Sequence, residues 1–364
     1  MIRTLKQSSL RVLNQLGIGR LVSGSEWRRQ RLLILCYHGV ALSDEHEWCP
    51  GLYVSPSHLE RRLALLQQLE CHVLPLKEAV SRLSAGTLPP RSVVLTFDDG
   101  YFDFMARAWP LLRRFGYPAT VYLTTGRVEH ELPNVNLLMS YALWKSRLPT
   151  FDGRGLPGLG DRYPLGTPEQ RQRLVQRVID ALASGEGGEA RRDDVARIVV
   201  ERAGIDYPAL LQSRLLTLMR PNEIRTLTGE GVDFQLHTHT HRTPDDPDEF
   251  VRDVLLNRAW LGDMTGAATS HFCYPSGNYR YDYLPLLRQH GIESATTCDP
   301  GLATQRADPL LLPRFVDTDE VSSVVFESWV TGLAARLPRR TRRGGTAATG
   351  HHISTGRRYS DAWT

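Results

Sequence analysis

From Leu32 onward the chain repeats one pattern: a short apolar run of strand length, then a stretch with apolar residues at helical spacing. LLILCY (32–37) is followed by an amphipathic segment near 57–70, then HVLPL and a second amphipathic stretch at 76–85. SVVLTF (92–97) precedes a helical stretch at 103–115 ended by Gly116, and PATVYLT (118–124) is the next strand. A strand that is apolar throughout has no polar face to offer water, so it has to be covered on both sides. Strands of that kind alternating with helices predict a mostly parallel sheet within a layer of helices, the α/β class. The rhythm lapses between about 127 and 220. There FDGRGLPGLGDRYPLG (151–166) reads as a loop, and helices are expected over 168–183, 189–203 and 207–219, the first opened by an N-cap residue and a proline, Thr167-Pro168. It resumes with a helix at 221–231, strand VDFQL (232–236), helix 248–264, strand SHFCYP (270–275), helix 281–290, and strands IESATT (292–297) and LLLPRF (310–315). The expectation is about seven strands in one domain over 32–330, with a helical insertion at about 127–220.

Charge is unevenly spread. The 364 residues carry a net +4, but residues 1–31 hold seven Lys or Arg against Glu26, and 331–364 hold seven Arg against Asp361. The body between them is acidic. Residues 1–31 also place Leu5, Leu10, Val12, Leu13, Leu16, Ile18, Leu21 and Val22 near helical spacing, which reads as a basic amphipathic segment suited to packing on the body or to an anionic membrane surface. The tail from 331 has no apolar period and is expected to be disordered. No run of about 18 apolar residues marks a membrane span. The first residues lack a continuous apolar core and a cleavage site, so the expectation is a cytoplasmic protein, held if anywhere at the inner face of the membrane. Five cysteines without a C-x-x-C pair read as free thiols in a reducing compartment.

Three segments at the ends of expected strands carry the chemistry, and in parallel α/β folds that edge is where sites are built. Thr96-Phe97-Asp98-Asp99-Gly100 puts two carboxylates where a strand turns, one able to bind a metal while the other takes a proton; taken alone it is also an ordinary turn. His237-Thr238-His239-Thr240-His241 follows VDFQL, and His237 and His241 have the i, i+4 spacing that brings two imidazoles to one ion, with His239 directed away. Two His and one carboxylate suit Zn2+ or a similar divalent ion and leave an open position for water. Phe272-Cys273-Tyr274-Pro275-Ser276-Gly277-Asn278-Tyr279 is a shaped loop whose backbone N–H groups suit a developing oxyanion.

TFDDG, then H-T-x-x-H about 140 residues on, then F-x-Y-P-x-G, resembles the polysaccharide deacetylase family, also called the NodB-homology or carbohydrate esterase family 4 domain, over roughly 32–320. The resemblance implies a distorted (β/α) barrel of about seven strands, a divalent metal, usually zinc, and hydrolysis of N-acetyl or sometimes O-acetyl groups on a glycan. By position it makes Asp98 the general base and Asp99, His237 and His241 the metal ligands, with the N–H of Ser276 at the oxyanion. Two departures stand out. Cys273 occupies the place of an Arg that orients the base in the family, and Arg314 is the candidate substitute. The late Leu-x-His motif that supplies the general acid is missing, whereas His38, in CYHGV at the end of the first strand, stands at the correct edge and resembles the start of some deacetylase branches. Tyr101 and Tyr279 are candidate sugar-facing aromatics.

The reading is a metal-dependent glycan deacetylase acting on an acetylated glycan or a lipid-linked sugar intermediate of cell-surface polysaccharide synthesis. Two alternatives stay open: the same fold hydrolysing a non-sugar linear amide, and a non-catalytic glycan-binding or scaffold protein. Nucleic acid is not an expected partner, because the basic tail has no interleaved aromatics and no recognised module.

Overall fold

The computed structural model describes residues 10–13, 16–130, 132–183 and 188–337. The chain forms two compact units, one from the residues up to Glu129 and from Met219 on, the other His130–Leu218.

Among the described residues of the first unit nine strands form one sheet: β1 (Arg31–Tyr37), β2 (His72–Val73), β3 (Ser92–Asp99), β4 (Thr120–Leu123), β5 (Asp233–Leu236), β6 (His271–Cys273), β7 (Ser294–Thr296), β8 (Ala303–Thr304) and β9 (Phe315–Val316). Seven of them run parallel in the order β7-β6-β5-β4-β3-β1-β9, β2 pairs parallel with β3, and β8 is antiparallel to β1. The segment entering β9 also bridges in parallel from Leu312 to Thr296 of β7, with Leu312 N–H donating to Ala295 O and Thr297 N–H to Leu312 O, both at 2.9 Å. The sheet thereby curls round on itself as a distorted (β/α) barrel. All eight residues of β3 and six of the seven in β1 are buried, as strands covered on both faces must be. Ile34, Val94, Tyr122 and Cys273 pack into one core cluster, with Leu312 at the closing seam.

Helices α1 (Pro56–Gln68), α2 (Leu76–Ala85), α3 (Trp109–Phe115), α4 (Pro221–Gly229), α5 (Pro247–Thr265) and α6 (Leu284–Gln289) connect the strands. Ser55 caps α1 by accepting from His58 N–H, and Pro56 fits the first turn, where its missing donor costs nothing. Asp317, just past β9, accepts from Tyr37 Oη, His58 and Arg62 of α1, which ties that helix to β1 and β9.

The structure departs from the sequence reading where local chemistry interrupts a period. The stretch 103–115 opens as a π-helical turn, Phe104–Ala108, before α3. Pro110 has no N–H for the preceding turn, so the hydrogen-bond ladder is broken there. LLLPRF yields a 3-10 turn at Pro309–Leu311 and only the short β9, because Pro313 cannot donate to a ladder. The helix expected over 207–219 stops at Gln212, and Arg214 and Leu216 are left-handed at φ 60° and 61°.

In the second unit, Thr150–Asp152 and Arg162–Pro164 pair antiparallel inside the expected loop, and Val135–Lys145 is a helix whose near-uniform apolar character gave no periodic signal. Thr167 caps Pro168–Ala183: its Oγ1 accepts from Gln170 N–H while Gln170 Oε1 accepts from Thr167 N–H. At the N-terminal end, the described part of the expected amphipathic segment is helical at 10–13 and over Ile18–Gly24 and Glu26–Arg29. The basic tail beyond 337 lies outside the described residues.

Candidate active site

Asp98 and Asp99 end β3, still paired with Tyr122 and Leu123 of β4. Asp99 is left-handed at φ 70°, and Gly100 follows at φ 86°. A side chain at Gly100 would meet Leu123 Cδ1 at 2.1 Å, so the turn demands glycine on both conformation and space. Adjacent strand residues face opposite ways, and this turn is what lets both carboxylates serve one cavity.

Asp98 is 2% exposed and is held by Arg314, which donates from Nη1 to Oδ1 at 2.7 Å and from Nη2 to Oδ2 at 2.8 Å. Arg314 is itself pinned through Nε to Thr297 O at 2.9 Å and through Nη1 to Thr96 Oγ1 at 3.2 Å. Thiols surround the pair. Cys36 Sγ and Cys273 Sγ each lie 3.5 Å from Asp98 Oδ2, and Arg314 Nη2 lies 3.0 Å from Cys273 Sγ and 3.7 Å from Cys298 Sγ. Burial pushes the Asp98 carboxyl up, but the bidentate guanidinium outweighs it and holds the group well below the usual carboxylate range. Burial also raises the Cys36 and Cys273 thiols, so both stay protonated beside the carboxylate. His38 Nε2 stands 3.9 Å from Asp98 Oδ2, and burial lowers its pKa so that the resting ring is neutral.

Asp99 faces the two imidazoles. Its Oδ1 is 3.3 Å from His237 Nε2 and 3.0 Å from His241 Nε2. His237 Nδ1 lies 2.8 Å from Cys273 O; a carbonyl can only accept, so Nδ1 carries a proton and Nε2 is the atom available to an ion shared with Asp99; burial lowers the ring's pKa, and the Asp99 carboxylate outweighs it and raises it. Asp99 Oδ1 is buried and has no hydrogen-bond donor among the described residues. A carboxylate oxygen between two imidazole nitrogens, one tautomer fixed by a backbone carbonyl, is the donor set and outer support of a divalent metal. The residues present fit such an ion.

The spacing of the histidines works through a loop and not a helix. Thr238 and His241 are left-handed at φ 61° and 57°, and the two rings meet edge to face at 4.9 Å. Helix α5 holds the loop. Asn257 Oδ1 accepts from His237 N–H at 2.9 Å, and its Nδ2 donates to Leu123 O and Thr125 Oγ1, both at 3.0 Å. Asp253 accepts from the N–H groups of His239 and Thr240. His239 turns away, its Nδ1 2.9 Å from Thr125 Oγ1. Asn257 and Asp253 escaped sequence reading; the available signal was two polar residues, four apart, on the buried side of an amphipathic helix. Of the other candidates, Ser276 is exposed and left-handed at φ 55°, outside the cluster of contacts around Asp98, and Tyr101 is buried. Tyr279 donates to Asp299 at 3.1 Å.

The sequence profile described as polysaccharide deacetylase matches residues 85–184 and 188–295, more than half of the chain. The chain belongs to the polysaccharide deacetylase family. Among curated relatives, a poly-beta-1,6-N-acetyl-D-glucosamine N-deacetylase of Staphylococcus aureus is 35% identical over 78 residues, 21% of this chain and 27% of that protein, so the chain matches about a quarter of the relative's length. Two solved structures share the fold: the Streptococcus pyogenes deacetylase PplD in complex with acetate, with TM-score 0.53 and 20% identity over 80% of this chain and 94% of that one, and IcaB from Ammonifex degensii, with TM-score 0.53 and 17% identity over 83% and 97%. In this family member the guanidinium on Asp98 comes from Arg314 beside β9, and the thiol of Cys273 sits against it at 3.0 Å.

Proposed function

We propose that the protein removes N-acetyl groups from a glycan, with Asp98 as general base, Asp99, His237 and His241 as ligands of a divalent metal, zinc first among them, and His38 as the proton carrier. The observation that carries this reading is the pair of adjacent carboxylates with divided partners: Asp99 against two imidazoles, Asp98 against Arg314. An ion on Asp99, His237 and His241 supplies Lewis acidity to the acetyl carbonyl and acidifies water beside it. Asp98 takes a proton as a water oxygen bonds to the carbonyl carbon. Arg314 keeps that carboxylate ionised and fixes which oxygen faces the cavity. The Ser276 N–H is assigned to the tetrahedral oxyanion. His38, neutral at rest and 3.9 Å from Asp98, receives the proton after a small movement and delivers it to the nitrogen as the C–N bond breaks. Acetate and a free amine leave.

The substrate class assigned is a β-1,6-linked N-acetylglucosamine chain or a lipid-linked precursor of a surface polysaccharide, by similarity to the staphylococcal relative. Val12, Leu16 and Leu21 are exposed beside Arg11 and Arg20, which supports peripheral contact with an anionic membrane on the cytoplasmic side. The test is turnover of β-1,6-N-acetylglucosamine oligomers by wild type, His237→Ala and Asp99→Ala, with metal content measured in parallel. About one divalent ion per chain and released acetate, both lost in the variants, is the expected result. A metal-bound wild type that leaves every acetylated sugar intact and cleaves a small linear amide would transfer the assignment to amide hydrolysis.

A further inference from the structure

We propose that Cys36, His38 and Asp98 form a second, sulfur-bearing metal site beside the Asp99–His237–His241 set. It takes a thiophilic divalent ion, Cd2+ or Zn2+ in excess of the first equivalent, and thereby ties up the base. Only the inhibitory consequence rests on the function proposed above; the binding does not.

The strand geometry builds the trio. Cys36 and His38 are two residues apart at the end of β1 and share the inward face. Cys36 is level with Thr96 of β3 and Tyr37 with Phe97, so the next step brings His38 level with Asp98. Cys36 Sγ is 3.5 Å and His38 Nε2 3.9 Å from Asp98 Oδ2, and the three atoms all lie within 4.8 Å of one another. Bonds of about 2.3 Å to sulfur and 2.0–2.2 Å to nitrogen or oxygen place the ligand atoms of one tetrahedral ion about 3.5 Å apart. The trio is close to that spacing before any ion enters.

The softness of the donors agrees with it. On binding, the Cys36 thiol bonds to the ion and its proton passes to buffer. Thiolate and Asp98 carboxylate face the divalent ion with two negative charges, one of them shared with Arg314, which keeps its contact with Oδ1 and yields Oδ2, 2.8 Å from its Nη2, to the ion. The sulfur selects Cd2+ or Zn2+ over harder ions, whereas the Asp99 set has only nitrogen and oxygen donors. The nearest exposed ligand side chain is that of His241, 38% exposed and 3.0 Å from Asp99. Cys273 belongs to a different grouping, with Asp98 and His237, and serves as the comparison thiol.

The two sites are separable by spectroscopy, because only a thiolate ligand gives the ultraviolet sulfur-to-cadmium charge-transfer band. The full-length protein is titrated with Cd2+ while that absorbance and the bound stoichiometry are followed. Wild type should take up one silent ion and one ion that brings the band. Cys36→Ser, and Cys36→Ala as a second variant checked for fold by circular dichroism, should lose the band and keep the silent ion. His237→Ala should lose the silent ion and keep the band. Asp98→Asn should weaken the band-giving ion at least about tenfold. Absence of a band at saturating Cd2+, or a band that survives Cys36→Ser and disappears in Cys273→Ser, overturns the proposal. A band from a protein inactive on every acetylated glycan leaves this site standing and removes the deacetylase reading; turnover without a band does the reverse.

Discussion

At the scale of single residues, Asp98 and Arg314 dominate. Both are buried, and each is the other's charge partner. Arg314→Leu strands an ionised carboxylate in the interior, and the loss expected in urea unfolding is about 3–5 kcal/mol. The double variant Asp98→Asn/Arg314→Met should recover a substantial part of it, since no bare charge remains. Asp98→Asn alone should retain the metal and lose about 10²–10⁴-fold in kcat on an N-acetylated oligomer, the usual worth of a positioned base. His271 gives a pH signature away from the site. It is buried at the start of β6, Nδ1 is 2.8 Å from Ser294 Oγ, and burial lowers its pKa. The unfolded chain therefore takes up a proton there before the folded one does. The stabilisation is complete above about pH 6.5, the unfolded value, and is lost as pH falls below it. Thermal midpoints of wild type and His271→Gln should accordingly converge between about pH 7.5 and 5.5; parallel curves would assign no such role to His271.

At the scale of elements, α5 is the support of the histidine loop. Asn257 is fully buried and joins the ends of β4 and β5 through three hydrogen bonds. Asn257→Ala removes those partners and leaves His237 N–H and Leu123 O unpaired in the interior, a loss of about 2–4 kcal/mol in chemical denaturation. The left-handed turn at Thr238 is then less firmly held, and metal affinity should fall about 10–100-fold. A variant with lowered stability and unchanged metal affinity would make α5 a packing element only. The amphipathic period of 248–264 made this helix legible in the sequence, but that period reports only which face is buried. It gives no information on which buried polar group meets which backbone, because that depends on the strands beneath.

At the scale of the whole molecule, the described N-terminal residues expose Val12, Leu16 and Leu21 with Arg11 and Arg20 nearby. If that face meets a membrane, the full chain should co-sediment with vesicles containing anionic lipid and not with neutral ones, and added salt should weaken the binding, each surface Arg contributing about 1 kcal/mol. Leu16→Ser/Leu21→Ser should reduce it further. Equal recovery with neutral and anionic vesicles, or with none, would count against membrane contact.

The parallel sheet was legible because parallel strands buried on both faces have to be apolar along their length, so LLILCY and SVVLTF declare themselves without any partner in view, whereas its curling into a barrel was implied only by the family resemblance. The edge that bears the site was legible for the same reason: TFDDG and HTHTH follow such runs directly, and the chain must turn there. Their division of labour was decided in three dimensions. Arg314 reaches Asp98 across 216 positions of sequence because closure of the barrel at Leu312 brings the two together. The pairing of β6 with β7 sets Cys298 beside Cys273, and the closure brings Arg314 to both sulfurs. Periodicity records the faces of local elements and a short motif records neighbours along the chain. The contact between a carboxylate and a distant guanidinium leaves neither trace, and only the folded sheet, by fixing strand order and register, determines it.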